Sequence, residues 1–119
     1  MKFTELKIWQ ESHKLTLEIY KLSLLFPKNE TYGISSQIQR ASSSVPANIV
    51  EGYNRKGNKE FIQFLYQARG SLSETEYFII LATDLNYINS EKSKELLSRY
   101  EVLSKMLSSF ITYIKNDQN

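Results

Sequence analysis

Cysteine is absent from this 119-residue chain. That excludes a disulfide framework, a thiolate metal centre and a cysteine nucleophile. Glycine and proline are scarce, at four and two residues, less than half their usual combined share. A small sandwich or barrel needs a turn every ~8–12 residues, built largely with Gly, Pro, Asn or Asp. An all-β fold is therefore excluded. The longest apolar run, Tyr77 to Ala82, falls far short of the ~20 residues that span a bilayer. Early charges at Lys2, Glu5 and Lys7 leave no uninterrupted apolar core for a secretory signal. A cytoplasmic protein without membrane association is expected. What remains is a composition ordinary for a globular domain, 41% hydrophobic and 24% charged, and a length that suits one domain, 1–119. The net charge of +2 does not by itself point to nucleic acid. Any electrostatic case rests on how the charges are distributed.

Four segments carry helical periodicity, and the predicted helices span about 5–26, 32–51, 59–85 and 91–115. The first sets Ile8, Leu15, Ile19, Leu22 and Phe26 on one stripe. Lys7, Lys14 and Lys21 form a charged row with Glu11 and Glu18 between them. Leu6, Trp9, His13, Leu17, Tyr20 and Leu24 form a second apolar strip. One helix of a monomeric bundle needs a single buried face. Two strips predict burial of the outside as well, by another subunit; the alternative is a helix central to a single bundle. Thr4 is the expected N-cap, and Pro27 ends the helix.

Ile34, Ile38, Ala41, Val45 and Ile49 make the second stripe. The run Ala41-Ser-Ser-Ser-Val-Pro-Ala is rich in small residues and permits close approach of a neighbour. Pro46 is expected to kink this helix and free the Ser42 carbonyl. Gly52 fits the C′ position. Asn58 is the expected cap of the third helix, with Phe61, Leu65, Ala68, Leu72, Phe78, Ile79 and Ala82 on its stripe. Gly70 interrupts that helix, where close packing accounts for a missing side chain. Asn86 suits a left-handed turn, and Ser90 is the expected cap of the fourth helix. Leu96, Tyr100, Leu103, Leu107, Phe110 and Ile114 line that helix, and residues 116–119 are expected to fray. Helices of this length with short connections predict an all-α, antiparallel up-down-up-down four-helix bundle.

Catalytic chemistry finds little support. A di-metal carboxylate bundle needs paired Glu-x-x-His motifs, and His13 is the only histidine. Ser42, Ser43 and Ser44 lack a nucleophile elbow. No glycine-rich phosphate loop occurs. No metal, cofactor or enzymatic activity is expected. The stretch from Tyr53 to Gly70 is basic: Arg55, Lys56, Lys59 and Arg69 face only Glu60. These cations are candidate phosphate contacts, with Tyr53 and Tyr66 as candidate stacking partners; a solvated loop is the plainer reading. Gln37, Arg40, Asn48, Glu51 and Glu74 are polar groups among small or apolar neighbours. If they face inward they must pair with one another, and Arg40 with Glu74 or Glu51 is the expected buried ion pair. They are read as structural.

Several blocks together resemble a known family. They are Ser36-Gln37-Ile38-Gln39-Arg40-Ala41 and Ser44-Val45-Pro46-Ala47-Asn48-Ile49-Val50-Glu51-Gly52. Leu6-Lys7-Ile8-Trp9-Gln10, Phe26-Pro27, Glu30-Thr31-Tyr32-Gly33-Ile34, Lys59-Glu60-Phe61, Ala68-Arg69-Gly70-Ser71 with Glu74, and Leu85-Asn86-Tyr87-Ile88 agree in order and spacing. The chain resembles the 23S rRNA-intervening-sequence proteins over nearly its whole length. Ser42-Ser43, Val50 and Asn86 depart from the residues common there. The resemblance implies a four-helix bundle assembled as a homopentameric ring, which fits the second strip of the first helix; Leu6, Trp9, His13, Leu17 and Tyr20 of that strip are the candidate interface residues. It also implies an association with bacterial large-subunit rRNA genes. A related branch, the accessory variability determinants of diversity-generating retroelements, binds nucleic acid and a reverse transcriptase through a basic surface. The implied partners are a second copy of the chain and RNA or a nucleic-acid-processing protein, with Arg55, Lys56, Lys59 and Arg69 as contacts.

Overall fold

The computed structural model describes residues 1–117, which form four α-helices and no strand. The helices are α1 (Lys7–Ser23), α2 (Ile34–Tyr53), α3 (Asn58–Asp84) and α4 (Ser90–Asp117), with 3₁₀ turns at Phe3–Glu5 and Lys28–Glu30. Each helix packs on the next, and α1 also meets α4, which closes a bundle. Cross-helix contacts run in opposite register: Thr16 meets Ser42 and Ser23 meets Gln39. The same reversal holds for α2 and α3, where Ser44 meets Ser71 and Gly52 meets Phe61. It holds for α3 and α4, where Phe61 meets Phe110 and Arg69 meets Ser108. Neighbouring helices are thus antiparallel, in a body of 50 × 24 × 20 Å.

The core follows the sequence stripes. Leu15, Ile19, Ile38, Val45, Ile49, Leu65, Leu72, Ile79, Leu96, Leu103 and Leu107 are all but completely buried. The phase slips near the helix ends, where Ile62 and Ile111 are buried and Phe61, Phe78 and Phe110 only half-buried. Tyr100 lies in the centre, and its hydroxyl has no hydrogen-bond partner among the described residues. Burial there pushes the phenol pKa upward.

Helix ends depart from the predicted ones. The chain first makes the Phe3–Glu5 turn, in which the Glu5 carboxylate accepts from the Lys2 backbone N–H at 2.6 Å. Leu6 is then extended, so α1 starts at Lys7 and Thr4 does not cap it. At the other end α1 stops at Ser23, and three-residue turns carry the chain to buried Phe26. Gly33, rather than a residue before Tyr32, stands at the N-cap of α2. Gly57, with φ of 104°, precedes α3, and Asn58 is its first residue instead of its cap. Asn86 takes the expected left-handed conformation at φ 66°. There Tyr87 N–H donates to the Ala82 carbonyl and Asn86 N–H to Thr83, a Schellman closure. Asn89 caps α4 in place of Ser90: its Oδ1 accepts from the Lys92 N–H at 2.8 Å. Residues 116 and 117 continue α4, while the fraying expected at 118–119 lies outside the described residues.

Two glycines behave differently from their predicted roles. Gly52 is inside α2, not at its C′ position, and is buried. A Cβ there would sit 2.7 Å from Phe64 Cβ and 2.9 Å from Phe61 Cδ1, so the glycine sets how closely α2 approaches α3. Gly70 is exposed, and a Cβ there would meet no atom within 4 Å. Close packing inside the protomer does not explain it, because the residue points away from the core.

Candidate nucleic-acid interface

The basic residues lie at the bundle end that holds the α2–α3 connection. Arg55 is already engaged: its guanidinium donates to Glu51 at 2.6 Å and lies 4.8 Å from the centre of the Phe64 ring. Lys56 and Lys59 are exposed and make no ion pair among the described residues. Arg69 is half-buried on α3. It donates to Ser108 Oγ at 3.3 Å, and its guanidinium is 5.0 Å from the Tyr66 ring centre. Lys115 Nζ of α4 is 5.2 Å from the same centre. Lys59 precedes Tyr66 by two helical turns and so shares its face of α3. The fold thus gathers Lys59, Tyr66, Arg69 and Lys115 on one α3–α4 surface, with Lys56 on the adjoining loop. Arg55 turns toward a different neighbour.

Lys115 was not evident from sequence, because it belongs to the far end of the chain. Its signal lies in topology: an antiparallel α4 must bring its last turn beside the first turns of α3. Tyr53 is not a free stacking surface. Its hydroxyl donates to the Met1 carbonyl at 2.6 Å, and its ring packs edge-on against Phe61 at 6.1 Å. Tyr66 keeps its outward position but already has two cations over its ring.

The five predicted structural polar residues divide among three settings. Gln37, Arg40 and Glu74 are exposed and line an open groove of about 560 Å³ between α2 and α3. The buried ion pair expected for Arg40 does not form, since both charges lie on the outer flank of the α2–α3 contact. Glu51 pairs instead with Arg55. Asn48 remains structural: its amide donates to the Ser44 carbonyl at 2.8 Å and Oγ at 3.0 Å, while Ser44 and Ser71 hydroxyls meet at 2.8 Å.

The second strip of α1 is largely uncovered in the protomer. Leu17 is 50% exposed, Tyr20 40% and Leu24 78%. His13 is exposed and stacks on half-buried Trp9 at 4.8 Å, and Leu6 is half-buried. The opposite side of α1 meets α4 through charge: the Glu18 carboxylate accepts from Lys92 at 3.0 Å and also from Arg99. Desolvation alone raises the Glu18 pKa, but the hydrogen bonds and charges of Lys92 and Arg99 outweigh it and hold it below the ordinary carboxylate value. Among the described residues no group of three His, Cys, Asp or Glu side chains is placed to hold a metal ion. None of their helices is long and apolar enough to cross a membrane.

Residues 4–109 match the family model of the 23S rRNA-intervening sequence protein. The bundle is similar to the crystal structure of a protein of unknown function from the S23 ribosomal protein family of Bacteroides thetaiotaomicron VPI-5482. The two share 28% identity with a TM-score of 0.78, over 87% of this chain and 97% of the other. No curated protein matches the chain. The match over most of the chain and the shared fold lead to one assignment: this chain belongs to the 23S rRNA-intervening sequence protein family.

Proposed function

We propose that the chain is a non-enzymatic, cytoplasmic helical bundle that self-associates and binds structured RNA, or a ribonucleoprotein carrying it, through the α3–α4 basic face. The observation that carries this reading is the pair Arg69 and Lys115 over the Tyr66 ring, with Lys59 two helical turns back on the same face of α3 and Lys56 on the adjoining loop. None of the four has an acidic partner among the described residues. Cations without acidic partners contact phosphates and release counterions. Gly70, one turn beyond Tyr66, leaves the surface open to a close-lying strand. Self-association is supported by the exposed strip Leu17, Tyr20 and Leu24. A homopentameric ring would repeat the basic face five times around an axis, so weak single contacts would add. The test is a gel shift with a structured RNA across a salt series. Four phosphate contacts give a log–log slope of about −3, and binding that is insensitive to salt rejects the reading.

A second reading is a protein-interaction scaffold with no nucleic-acid role. It is favoured by a groove of about 640 Å³ between α1 and α4, walled by Leu6, Ile8, Val102, Met106, Phe110 and Tyr113. Recovery of a salt-resistant protein partner, free of nucleic acid, supports this reading over the first.

A further inference from the structure

The flank of α4 away from the basic face carries an apolar groove. Ser108 and Lys115 turn toward α3. Val102, Met106, Phe110 and Tyr113 line the other side with Leu6 and Ile8, around a space of about 640 Å³. Unequal helix lengths account for it. α4 has 28 residues and α1 has 17, a difference of about 16 Å of helix. The segment before α1 does not fill the gap. The Tyr53 hydroxyl of α2 donates to the Met1 carbonyl at 2.6 Å, so the first residues cross toward α2. Val102 is left 56% exposed and Tyr113 65%.

We infer that this groove binds an amphipathic helix of another protein, one whose apolar stripe is flanked by acidic side chains. The inference rests on the protein-interaction reading above and names the chemistry of the partner.

Charge selects that partner. Lys7 stands on the α1 bank of the groove and Lys105 on the α4 bank. Both are exposed, and neither forms an ion pair among the described residues. The carboxylates nearby on α1 and before it are engaged. Glu5 accepts from the Lys2 N–H at 2.6 Å, and Glu11 pairs with Lys14 at 3.6 Å. The first turn of α1 holds no acidic residue, so the helix dipole adds to the positive field. An apolar floor between two cationic banks is the arrangement that coiled-coil edges match with opposite charge. An acidic helix meets both banks at once. A fatty acid, with a single headgroup, meets one, and a basic helix is repelled by both.

Shape agrees with charge. Val102, Met106, Phe110 and Tyr113 recur at spacings of four, four and three, over about three turns of α4. That length suits the i, i+4 and i+7 anchors of a helix laid in a groove. The Met106 thioether gives the floor a flexible, polarizable element that adapts to an anchor. Because the groove and the basic face lie on different flanks of α4, a bound helix leaves Lys59, Arg69 and Lys115 open.

The test selects peptides of about 18 residues, long enough for a helix to form on binding, from a displayed pool with the full chain as bait. Leucine is fixed at helical spacing, and the flanking positions are drawn from Glu, Lys and Ser. The expected result is enrichment of Glu at the flanks. Val102→Ser with Tyr113→Ser trims two exposed walls without a change of charge, and is expected to weaken a selected peptide at least tenfold. Lys7→Glu with Lys105→Glu is expected to weaken it at least tenfold and to bind the twin peptide that carries Lys for Glu, which also shows that this variant is folded. Enrichment of Lys or Ser flanks overturns the acidic partner and leaves the protein-interaction reading standing. Selected peptides that bind the serine variant as tightly as the wild type overturn the assignment to this groove. No enrichment of any peptide fails the protein-interaction reading as well. So does a serine variant whose oligomeric state differs by light scattering, which would give the groove to a second copy.

Discussion

The Thr16 hydroxyl of α1 lies 3.0 Å from the Ser42 carbonyl of α2, the carbonyl that Pro46 leaves without a helical donor. α2 runs unbroken through the proline because a neighbouring helix supplies the missing hydrogen bond. The same hydroxyl is 2.9 Å from the Ser12 carbonyl, so one proton serves two acceptors. Thr16→Val keeps the shape and strands a buried carbonyl. It is expected to cost about 1–3 kcal/mol in urea unfolding. Pro46→Ala restores a backbone donor to Ser42, so the Thr16→Val cost falls in that background. A cycle in which the two changes simply add contradicts this account.

Gly52 and Gly70 are predicted to respond to alanine with opposite signs. At Gly52 the new methyl group meets Phe61 and Phe64 below 3.0 Å, and overpacking of this kind costs about 1–3 kcal/mol. At Gly70 it meets nothing, and alanine favours the helix by about 1 kcal/mol. Thermal unfolding of the two variants reads both directions.

Tyr100→Phe removes a buried hydroxyl that has no partner among the described residues. Stability is expected to rise by about 1 kcal/mol, the lower end of the cost of an unmet buried polar group. A loss of stability in denaturant unfolding would reveal a partner for that hydroxyl.

Glu18 sets an acid limit on the α1–α4 contact. Its folded pKa lies below the ordinary carboxylate value despite the opposing desolvation, because Lys92 and Arg99 favour the charged form. The contribution is therefore present above the unfolded pKa and is lost as the pH falls through the lower folded value. Glu18→Gln should cost up to about 1 kcal/mol at neutral pH and flatten the stability curve below pH 4.5. Unfolding midpoints measured down the acid range check both effects.

Much of this fold is readable in the sequence because its signals are local. The stripe Leu15–Ile19 with Ile38, Val45 and Ile49 is a matter of spacing, and Asn86 announces its own turn. Gly52 was harder to read, since glycine ends a helix in one setting and admits a neighbour in another. Only the position of Phe61 and Phe64 decides between them. Asn58 and Ser90 are both good cap residues, but backbone geometry moved the boundary by one residue. The basic face was half legible. Arg55 reads as a free cation in a polar loop, but Glu51 at the end of α2 pairs with it. Lys115 joins the face only through the antiparallel return of α4. Arg40 and Glu74 failed as a buried pair because helix spacing does not fix how far round the α2–α3 contact each one lies.

The most direct test of the proposed function compares RNA binding by the wild type, Arg55→Ala and the triple variant Lys59→Ala, Arg69→Ala, Lys115→Ala. Affinity for one structured RNA is measured between about 50 and 200 mM salt, where phosphate-dominated binding weakens steeply. The account predicts that Arg55→Ala binds like the wild type, because Arg55 is held by Glu51. It predicts that the triple variant loses at least tenfold in affinity and most of its salt slope. A triple variant that binds as tightly as the wild type, with the same slope, would contradict the account.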